Sequence, residues 1–215
     1  RPDAIANLKA HIVDPDEWLS AFATRTEGKN ISRGRVIVAP PFPYLSAWRR
    51  AIEKTRLPII LASQDVSRRP LGKFTGEIPA EMLKALGVGT VIIGHSERMD
   101  LGEDVDSLSE KTNRALEAGL GVIFCVRNPS DFVPRGVHTV AYEPVAAIGT
   151  GQAMSPEEAN DIAATLIRKT GVGKIAYGGS VTAANAADFF RQPNIFSTLV
   201  GGASLRAEEF ANIVK

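Results

Sequence analysis

The chain has 215 residues, of which 44% are hydrophobic and 23% are charged, with 25 basic and 24 acidic side chains. Such a chain can bury a sizeable core, and one domain over residues 1–215 is the simplest expectation. A net charge of +1 gives no basic surface for nucleic acid or an anionic membrane. The single cysteine, Cys125, excludes an intrachain disulfide, and no apolar run approaches the roughly 20 residues that span a bilayer. We therefore expect a soluble, cytoplasmic protein that acts on small molecules.

Short apolar runs rich in Val, Ile and Ala alternate with longer segments of helical periodicity, which predicts repeated βα units. There are eight such runs, at residues 4–9, 35–40, 58–64, 90–95, 121–126, 137–143, 174–179 and 197–202. Their near-continuous hydrophobicity is typical of parallel strands that helices cover. Neither a dinucleotide-binding glycine motif nor a P-loop occurs. The pattern therefore favours a closed (β/α)8 barrel over a doubly wound sheet.

The intervals between the runs differ in how clearly they predict helices. Ser155-Pro156-Glu157-Glu158 combines an N-cap, a first-turn proline and a capping-box glutamate, and Gly171 marks the end of that helix. The fifth interval is short and contains Pro129 and Pro134, which allow little more than one helical turn. We therefore expect the helix between strands 5 and 6 to be missing or vestigial.

In a barrel of this kind, functional residues gather where the strands end at the carboxyl face. The predicted strand ends carry Asn7, Lys9, His95, Glu143, Gly178-Gly179-Ser180 and Gly201-Gly202. Paired glycines leave backbone N–H groups open to an anion, and the loops after strands 7 and 8 often bind phosphate. From strand position alone, Glu143 is as well explained by an ion pair as by catalysis, and His95 is more simply a structural residue.

Five segments together resemble the triosephosphate isomerase family, and they occur in that family's order. They are "ANLK", "GHSER", "AYEPVAAIGTG", "YGGSV" and "LVGGASL", with weaker agreement at "FTGE" and "IFCV". The resemblance covers essentially the whole chain. It implies an α/β fold of the TIM-barrel type and a glycolytic and gluconeogenic isomerase. Such an enzyme interconverts dihydroxyacetone phosphate and D-glyceraldehyde 3-phosphate without a cofactor.

The resemblance also implies roles for individual residues. Glu143 would be the base, and His95 would polarise the carbonyl oxygen through a neutral ring. Lys9, beside Asn7, would stabilise the enediolate, with Glu97 as its buried partner. The residues implied in substrate and phosphate binding are Asn7, Lys9, Gly149, Ser180, Gly201 and Gly202. No metal is implied, and the three histidines, His11, His95 and His138, have no ligand spacing.

Two departures limit the resemblance, and one long loop extends it. Ala146 stands where the family has a hinge tryptophan, and residues 125–128 read Cys-Val-Arg-Asn where the fifth strand usually ends C-x-G-E. These changes suggest a more loosely packed lid hinge. The long loop at residues 65–77 has the family's length, which implies a homodimer in which Thr75 reaches toward the partner's Asn7 and the partner's Lys9.

Two other functions stay open at this point. A barrel with backbone-mediated phosphate recognition can isomerise another small phosphosugar. A non-catalytic or weakened relative that only binds phosphate is the second alternative, although binding alone does not require a carboxylate beside the reacting carbon.

Overall fold

The computed structural model describes residues 3–26, 34–144 and 153–214. Eight parallel strands form a closed barrel in chain order, and the last strand pairs with the first. The strands are β1 (Asp3–Asn7), β2 (Val36–Ala39), β3 (Ile59–Ser63), β4 (Thr90–Ile93), β5 (Gly121–Val126), β6 (Thr139–Tyr142), β7 (Ile175–Tyr177) and β8 (Ser197–Val200). Each predicted apolar run corresponds to one strand. The expected (β/α)8 barrel is therefore confirmed.

Helices connect most of the strands. They are α1 (Pro15–Thr26), α2 (Leu45–Thr55), α3 (Ala80–Ala85), α4 (Ser96–Asp100), α5 (Val105–Glu117), α6 (Pro156–Thr170), α7 (Ala186–Phe190) and α8 (Ala207–Val214). Short 3-10 turns occur at Phe42–Tyr44 and Gly202–Leu205. α6 begins with both bonds of the predicted capping box at Ser155 and ends at Gly171, whose φ of +72° suits glycine. None of the helices in the described ranges is long and apolar enough to cross a membrane.

Strand side chains alternate between the lumen of the barrel and its outer surface. The lumen holds a separate apolar cluster of Ile5, Ile37, Ala39, Ala62, Ile92, Ile123, Cys125, Ala141, Ala176 and Leu199. The outward residues of the same strands pack beneath the helices in a larger cluster. Because side chains fill the lumen, a ligand finds room at the end of the barrel and not along its axis.

The connection from β5 to β6 contains turns and bends but no helix over residues 127–138, all of which the structure describes. Asp131 organises this segment, because its Oδ2 accepts the backbone N–H groups of Arg127 and Asn128, each at 2.8 Å. Lys169 of α6 donates to the carbonyl oxygens of Pro129 and Asp131 at 3.0 and 2.6 Å. The segment is thus held by hydrogen bonds in place of a packed helical face.

Candidate functional site

A pocket of about 400 Å³ opens at the carboxyl ends of the strands. Its walls come from β1, β4, β6, β7 and β8 and from the loops that follow them, which the closed barrel brings together. Of the predicted site residues, Asn7, Lys9, His95, Glu143, Ser180, Gly201 and Gly202 all line this pocket. Gly149 and Ala146 lie outside the described residues, so their predicted roles stay predictions.

Glu143 is the most deeply buried acid of the pocket, with 2% of its surface exposed. Its Oε1 lies 3.0 Å from Nε2 of His95, and its Oε2 accepts the backbone N–H of Ser96 at 2.7 Å. The backbone N–H of Glu143 in turn donates to Val126 of β5 at 2.8 Å. Both carboxylate oxygens therefore have partners, and neither partner is a fixed opposite charge. Such a carboxylate can exchange these bonds for a proton from a ligand.

The tautomer of His95 follows from its second contact. The backbone N–H of Glu97 donates to Nδ1 at 3.2 Å, which places a lone pair on Nδ1. In a neutral ring the proton is then on Nε2, the nitrogen that faces Glu143. This arrangement arises because His95 caps the N-terminus of α4. His95 thus presents a hydrogen-bond donor to the pocket.

Lys9 is held in a backbone conformation that few residues adopt, with φ of +50°. Its N–H donates to Oδ1 of Asn7 at 3.0 Å, and its carbonyl accepts Nε2 of Gln64 at 2.8 Å. These bonds compensate for the unfavourable conformation and aim the side chain at the pocket. The ammonium lies 2.7 Å from Oε1 of Glu97, whose side chain is 54% exposed. The expectation that Glu97 is buried is wrong for this chain, because its carboxylate lies at the rim.

Three glycines of the pocket lie close to neighbouring side chains, most tightly at Gly179. A Cβ on Gly178 would lie 3.0 Å from Cγ of Glu143, and one on Gly201 would lie 3.3 Å from Cε of Lys9. A Cβ on Gly179 would come within 2.2 Å of the Tyr177 hydroxyl, a distance no side chain can accept. The loops after β7 and β8 therefore expose bare backbone next to the acid and the lysine.

The turn after β8 is fixed from below by Ser204 and Trp18. The Ser204 hydroxyl donates to the carbonyl of Gly201 at 2.7 Å, and the indole N–H of Trp18 donates to the carbonyl of Ser204 at 3.0 Å. Trp18 is 3% exposed, so this second bond is anchored in the outer core. The glycine backbone at this turn is consequently rigid enough to present N–H groups in one orientation.

Tyr177 links the pocket to the segment that precedes α6. Its hydroxyl accepts the backbone N–H of Met154 at 2.9 Å. Burial raises the pKa of the Tyr177 phenol, so the hydroxyl is neutral and keeps its proton near physiological pH. The sequence offered no isolated signal for this role beyond the "YGGSV" segment.

Sequence reasoning also missed two arginines. Arg206 and its ion-pair partner Glu209 line the pocket on the α8 side, where the Arg206 side chain is 72% exposed. Arg127 contacts α4 from the end of β5. Arg206 belongs to no motif with a characteristic spacing. At Arg127 the sequence showed a departure from the C-x-G-E pattern, but only the folded chain shows its contact with α4.

The remaining titratable candidates stay outside the pocket. His11 and His138 are exposed. Cys125 is buried in the lumen, where burial and the nearby Glu143 carboxylate raise the pKa of its thiol. Over the described ranges, no group of three His, Cys, Asp or Glu side chains is placed to hold a metal ion.

Known proteins match the chain along its length. It matches the family model of triosephosphate isomerase over residues 4–139 and 135–215. It is 37% identical to the triosephosphate isomerase of Leifsonia xyli subsp. xyli, over 91% of this chain and 87% of that protein. Identity to the Bordetella pertussis enzyme is 40%, over 82% of each chain. The crystal structure of triosephosphate isomerase from Bartonella henselae is 28% identical and superposes with a TM-score of 0.81, over 99% of this chain and 97% of that one.

The match thus extends over both the barrel and the strand ends that form the pocket. The chain belongs to the triosephosphate isomerase family.

Proposed function

We propose that this chain interconverts dihydroxyacetone phosphate and D-glyceraldehyde 3-phosphate by proton transfer through an enediolate, without a cofactor. One observation carries the proposal. A buried carboxylate, Glu143, lies 3.0 Å from a ring nitrogen of His95 in a pocket that Lys9 and bare glycine backbone also line. This combination supplies a base, a hydrogen-bond donor, a cation and an anion cradle in one place.

Substrate binding in this proposal depends on the loops after β7 and β8. The phosphate group accepts hydrogen bonds from the backbone N–H groups of Ser180, Gly201 and Gly202. When the predicted lid closes, the phosphate also accepts one from Gly149. Glycine backbone permits this approach because no side chain stands between the N–H groups and the anion. Lys9 adds a positive charge toward the dianionic substrate, and Asn7 holds the Lys9 backbone by its 3.0 Å bond.

The chemical step needs one base. Glu143 releases its present bonds to His95 and to the Ser96 N–H and removes a proton from the carbon beside the carbonyl. The electron pair of the broken C–H bond forms the C=C bond of the enediolate, and the carbonyl oxygen takes the negative charge. His95 stabilises that oxygen through Nε2–H, and Lys9 stabilises the same charge electrostatically. The proton of the neighbouring hydroxyl moves to the former carbonyl oxygen, relayed through Nε2 of His95, and the carbon–oxygen bond that it leaves becomes the new carbonyl. Glu143 returns its proton to the carbon that carried the old carbonyl, which gives the isomeric triose phosphate.

Exclusion of water completes the proposed reaction. An enediolate phosphate exposed to solvent can lose its phosphate, so the pocket must close during the step. We assign closure to the lid predicted after Pro144, most of which lies outside the described residues. Its far end is anchored where Tyr177 binds Met154. The more loosely packed hinge that we expect from Ala146 is part of this proposal.

A coupled assay tests the proposed substrate. Purified chain is given D-glyceraldehyde 3-phosphate and, in separate reactions, four- and five-carbon phosphosugars. We expect rapid turnover of the triose phosphate alone. Preferred turnover of a longer sugar would support the alternative that the chain isomerises another small phosphosugar. Binding of inorganic phosphate with no turnover of any sugar would support a non-catalytic relative.

We also propose that the chain acts as a homodimer through the loop at residues 65–77. This loop protrudes from the barrel and exposes Leu71 at 54% and Phe74 at 39%, although Arg69 stacks on the Phe74 ring with its guanidinium carbon 5.5 Å from the ring centre. Exposed apolar side chains on an ordered loop favour burial against a second copy. Thr75 would then lie near the partner's Asn7 and the partner's Lys9.

Light scattering at micromolar concentration tests the dimer. We expect twice the 23.0 kDa mass of one chain, and a shift toward the monomer in Thr75→Glu, which buries a charge at the contact. A parent protein of single-chain mass would contradict the proposal.

Two further expectations join this proposal. Residues 1–215 act as one domain, since β8 pairs with β1 and the two ends of the chain meet in one sheet. A cytoplasmic location fits a substrate whose charged phosphate does not cross a bilayer unaided.

A further inference from the structure

Arg127, the first residue after β5, contacts the helix that carries much of the site. Its Nη2 donates to the backbone carbonyl of Ser96 and to Oδ1 of Asp100, the latter at 2.5 Å. These two residues are the first and last of α4. Arg127 occupies the position where the C-x-G-E pattern has glycine, which has no side chain to make this contact.

Three interactions of the proposed site depend on where α4 lies. His95 caps the helix, the Ser96 N–H holds Glu143, and Glu97 binds Lys9. A five-residue helix has too few internal hydrogen bonds to fix its own position. A small displacement of α4 would therefore change the donor, the base and the cation together.

Arg127 suits this task because hydrogen bonds hold both its backbone and the tip of its side chain. Its backbone N–H is held by Asp131, as is that of Asn128. Its side chain is 25% exposed, and its Nε is buried with no hydrogen-bond partner within the described part of the chain. Leaving such a donor unpaired is unfavourable. The side chain nevertheless keeps this position, in which its Nη2 donates to the Ser96 carbonyl.

The two contacts of Arg127 differ in weight. The Asp100 side chain is 69% exposed, and exposed ion pairs contribute little because water and salt screen them. The Ser96 carbonyl belongs to a residue that is 4% exposed, so its bond to the guanidinium is shielded. The Ser96 contact is thus the one that fixes the helix.

We propose that Arg127 is a positioning residue for the isomerisation: its bond to the Ser96 carbonyl fixes α4, so that the Ser96 N–H holds Glu143 beside the substrate site before the reaction and His95 Nε2 meets the substrate during it. This inference rests on the proposed function. Among the described residues, Arg127 forms hydrogen bonds with Ser96, Asp100 and Asp131 and with none in the loops after β7 and β8. Its removal should therefore leave the backbone N–H groups of those loops in place for the phosphate. The chemical step is what weakens.

Steady-state kinetics of Arg127→Met test the proposal. We expect kcat to fall by about tenfold to a hundredfold, the scale expected of small misplacements, with KM within about twofold of the parent. Binding of 2-phosphoglycolate, which resembles the enediolate in charge, should weaken by a factor similar to the fall in kcat, whereas binding of inorganic phosphate stays unchanged. Arg127→Lys keeps the charge but loses the planar fork, so it should recover only part of the lost kcat.

Controls separate this inference from general damage and from the proposed function. Arg191→Met removes an exposed arginine from an i,i+3 pair with Asp188, and its kcat should equal that of the parent. Arg127→Gln keeps a polar side chain and repeats the test if Arg127→Met fails to fold, with a fall in kcat of at least fivefold expected. A folded Arg127→Met or Arg127→Gln with parental kcat would overturn the positioning role. A parent protein without isomerase activity would instead overturn the proposed function.

Discussion

At the scale of single residues, the site depends on hydrogen bonds that choose one state for each group. The Glu97 N–H selects the tautomer of His95, and the Ser96 N–H holds the Glu143 carboxylate beside that ring. Lys9 takes a rare backbone conformation that Asn7 and Gln64 stabilise. The chemistry therefore requires both the predicted residues and the backbone groups that orient them.

Tyr177→Phe tests the anchor of the proposed lid at this scale. Loss of the hydroxyl leaves the Met154 N–H without its 2.9 Å acceptor, so the segment that joins the proposed lid to α6 loses an anchor. We expect about 1 kcal/mol, the usual net value of one hydrogen bond, which is roughly a fivefold loss in kcat/KM for glyceraldehyde 3-phosphate. Tyr142→Phe, which removes a hydroxyl from the outer side of β6, serves as the matched control. Equal kinetics in the two variants would remove the assigned role.

The sequence predicted which residues gather in the pocket better than it predicted what surrounds them. Asn7, Lys9, His95 and Glu143 lie at strand ends, and parallel strands of a closed barrel bring such ends together. The exposure of Glu97 and the contact of Arg127 with α4 depend on side-chain directions in irregular segments. No periodicity specifies those directions, so they could be seen only in the folded chain.

At the scale of secondary-structure elements, the helix signals of α6 were complete. Ser155 and Glu158 form the capping box, Pro156 occupies the first turn, and Gly171 takes the left-handed conformation that ends the helix. The segment after β5 was equally readable, because two prolines exclude a long helix. What the sequence could not show is that Lys169 and Asp131 would fix that segment by hydrogen bonds.

Ser155→Ala is expected to lower the free energy of unfolding by about 1 kcal/mol, since the first turn of α6 loses its cap. Urea unfolding followed by circular dichroism measures this as a lower midpoint. Ser109→Ala in the middle of α5 removes a hydroxyl that only bonds the preceding turn at the Val105 carbonyl, and its midpoint should stay close to that of the parent. A midpoint for Ser155→Ala equal to that of Ser109→Ala would contradict the capping account.

Asp65 anchors the base of the loop at residues 65–77 and gives the stability a pH dependence. Burial raises the pKa of Asp65 despite its 2.8 Å contact with Lys111 and a contact with Arg98 at 3.2 Å. A raised pKa in the folded state means that folding disfavours the charged form. Its contribution to stability is present below the unfolded pKa near 3.8 and is lost as pH rises through the folded value.

Asp65→Asn should therefore raise the melting temperature at pH 7, because folding buries a charged carboxylate in the parent and a neutral amide in the variant. Lys111 keeps Glu103 as a partner in the variant. The gain should shrink as the pH is lowered toward 4. Calorimetry across this range measures it, and a gain that grows on acidification would contradict the assignment.

At the scale of the whole molecule, closure of the barrel assembles the site. β8 pairs with β1, with Leu199 opposite Ile5, and this pairing places Gly201 against Lys9. β6 lies between β5 and β7, so Glu143 faces both the phosphate loops and α4. Residues from the first and the last strand thus form one pocket, and loss of the barrel and loss of the site should coincide.

The central claim is that Glu143 carries the proton between the two carbons of the substrate. Isomerisation of dihydroxyacetone phosphate in D2O by the parent and by Glu143→Gln, followed by proton NMR, tests it most directly. The amide keeps the shape of the side chain but cannot accept the proton. For the parent we predict rapid isomerisation and incorporation of deuterium at carbon. In the variant, the rate of isomerisation and the rate of deuterium incorporation should both fall by roughly 10²–10⁴-fold. Isomerisation and exchange at parental rates in a folded Glu143→Gln would contradict the account.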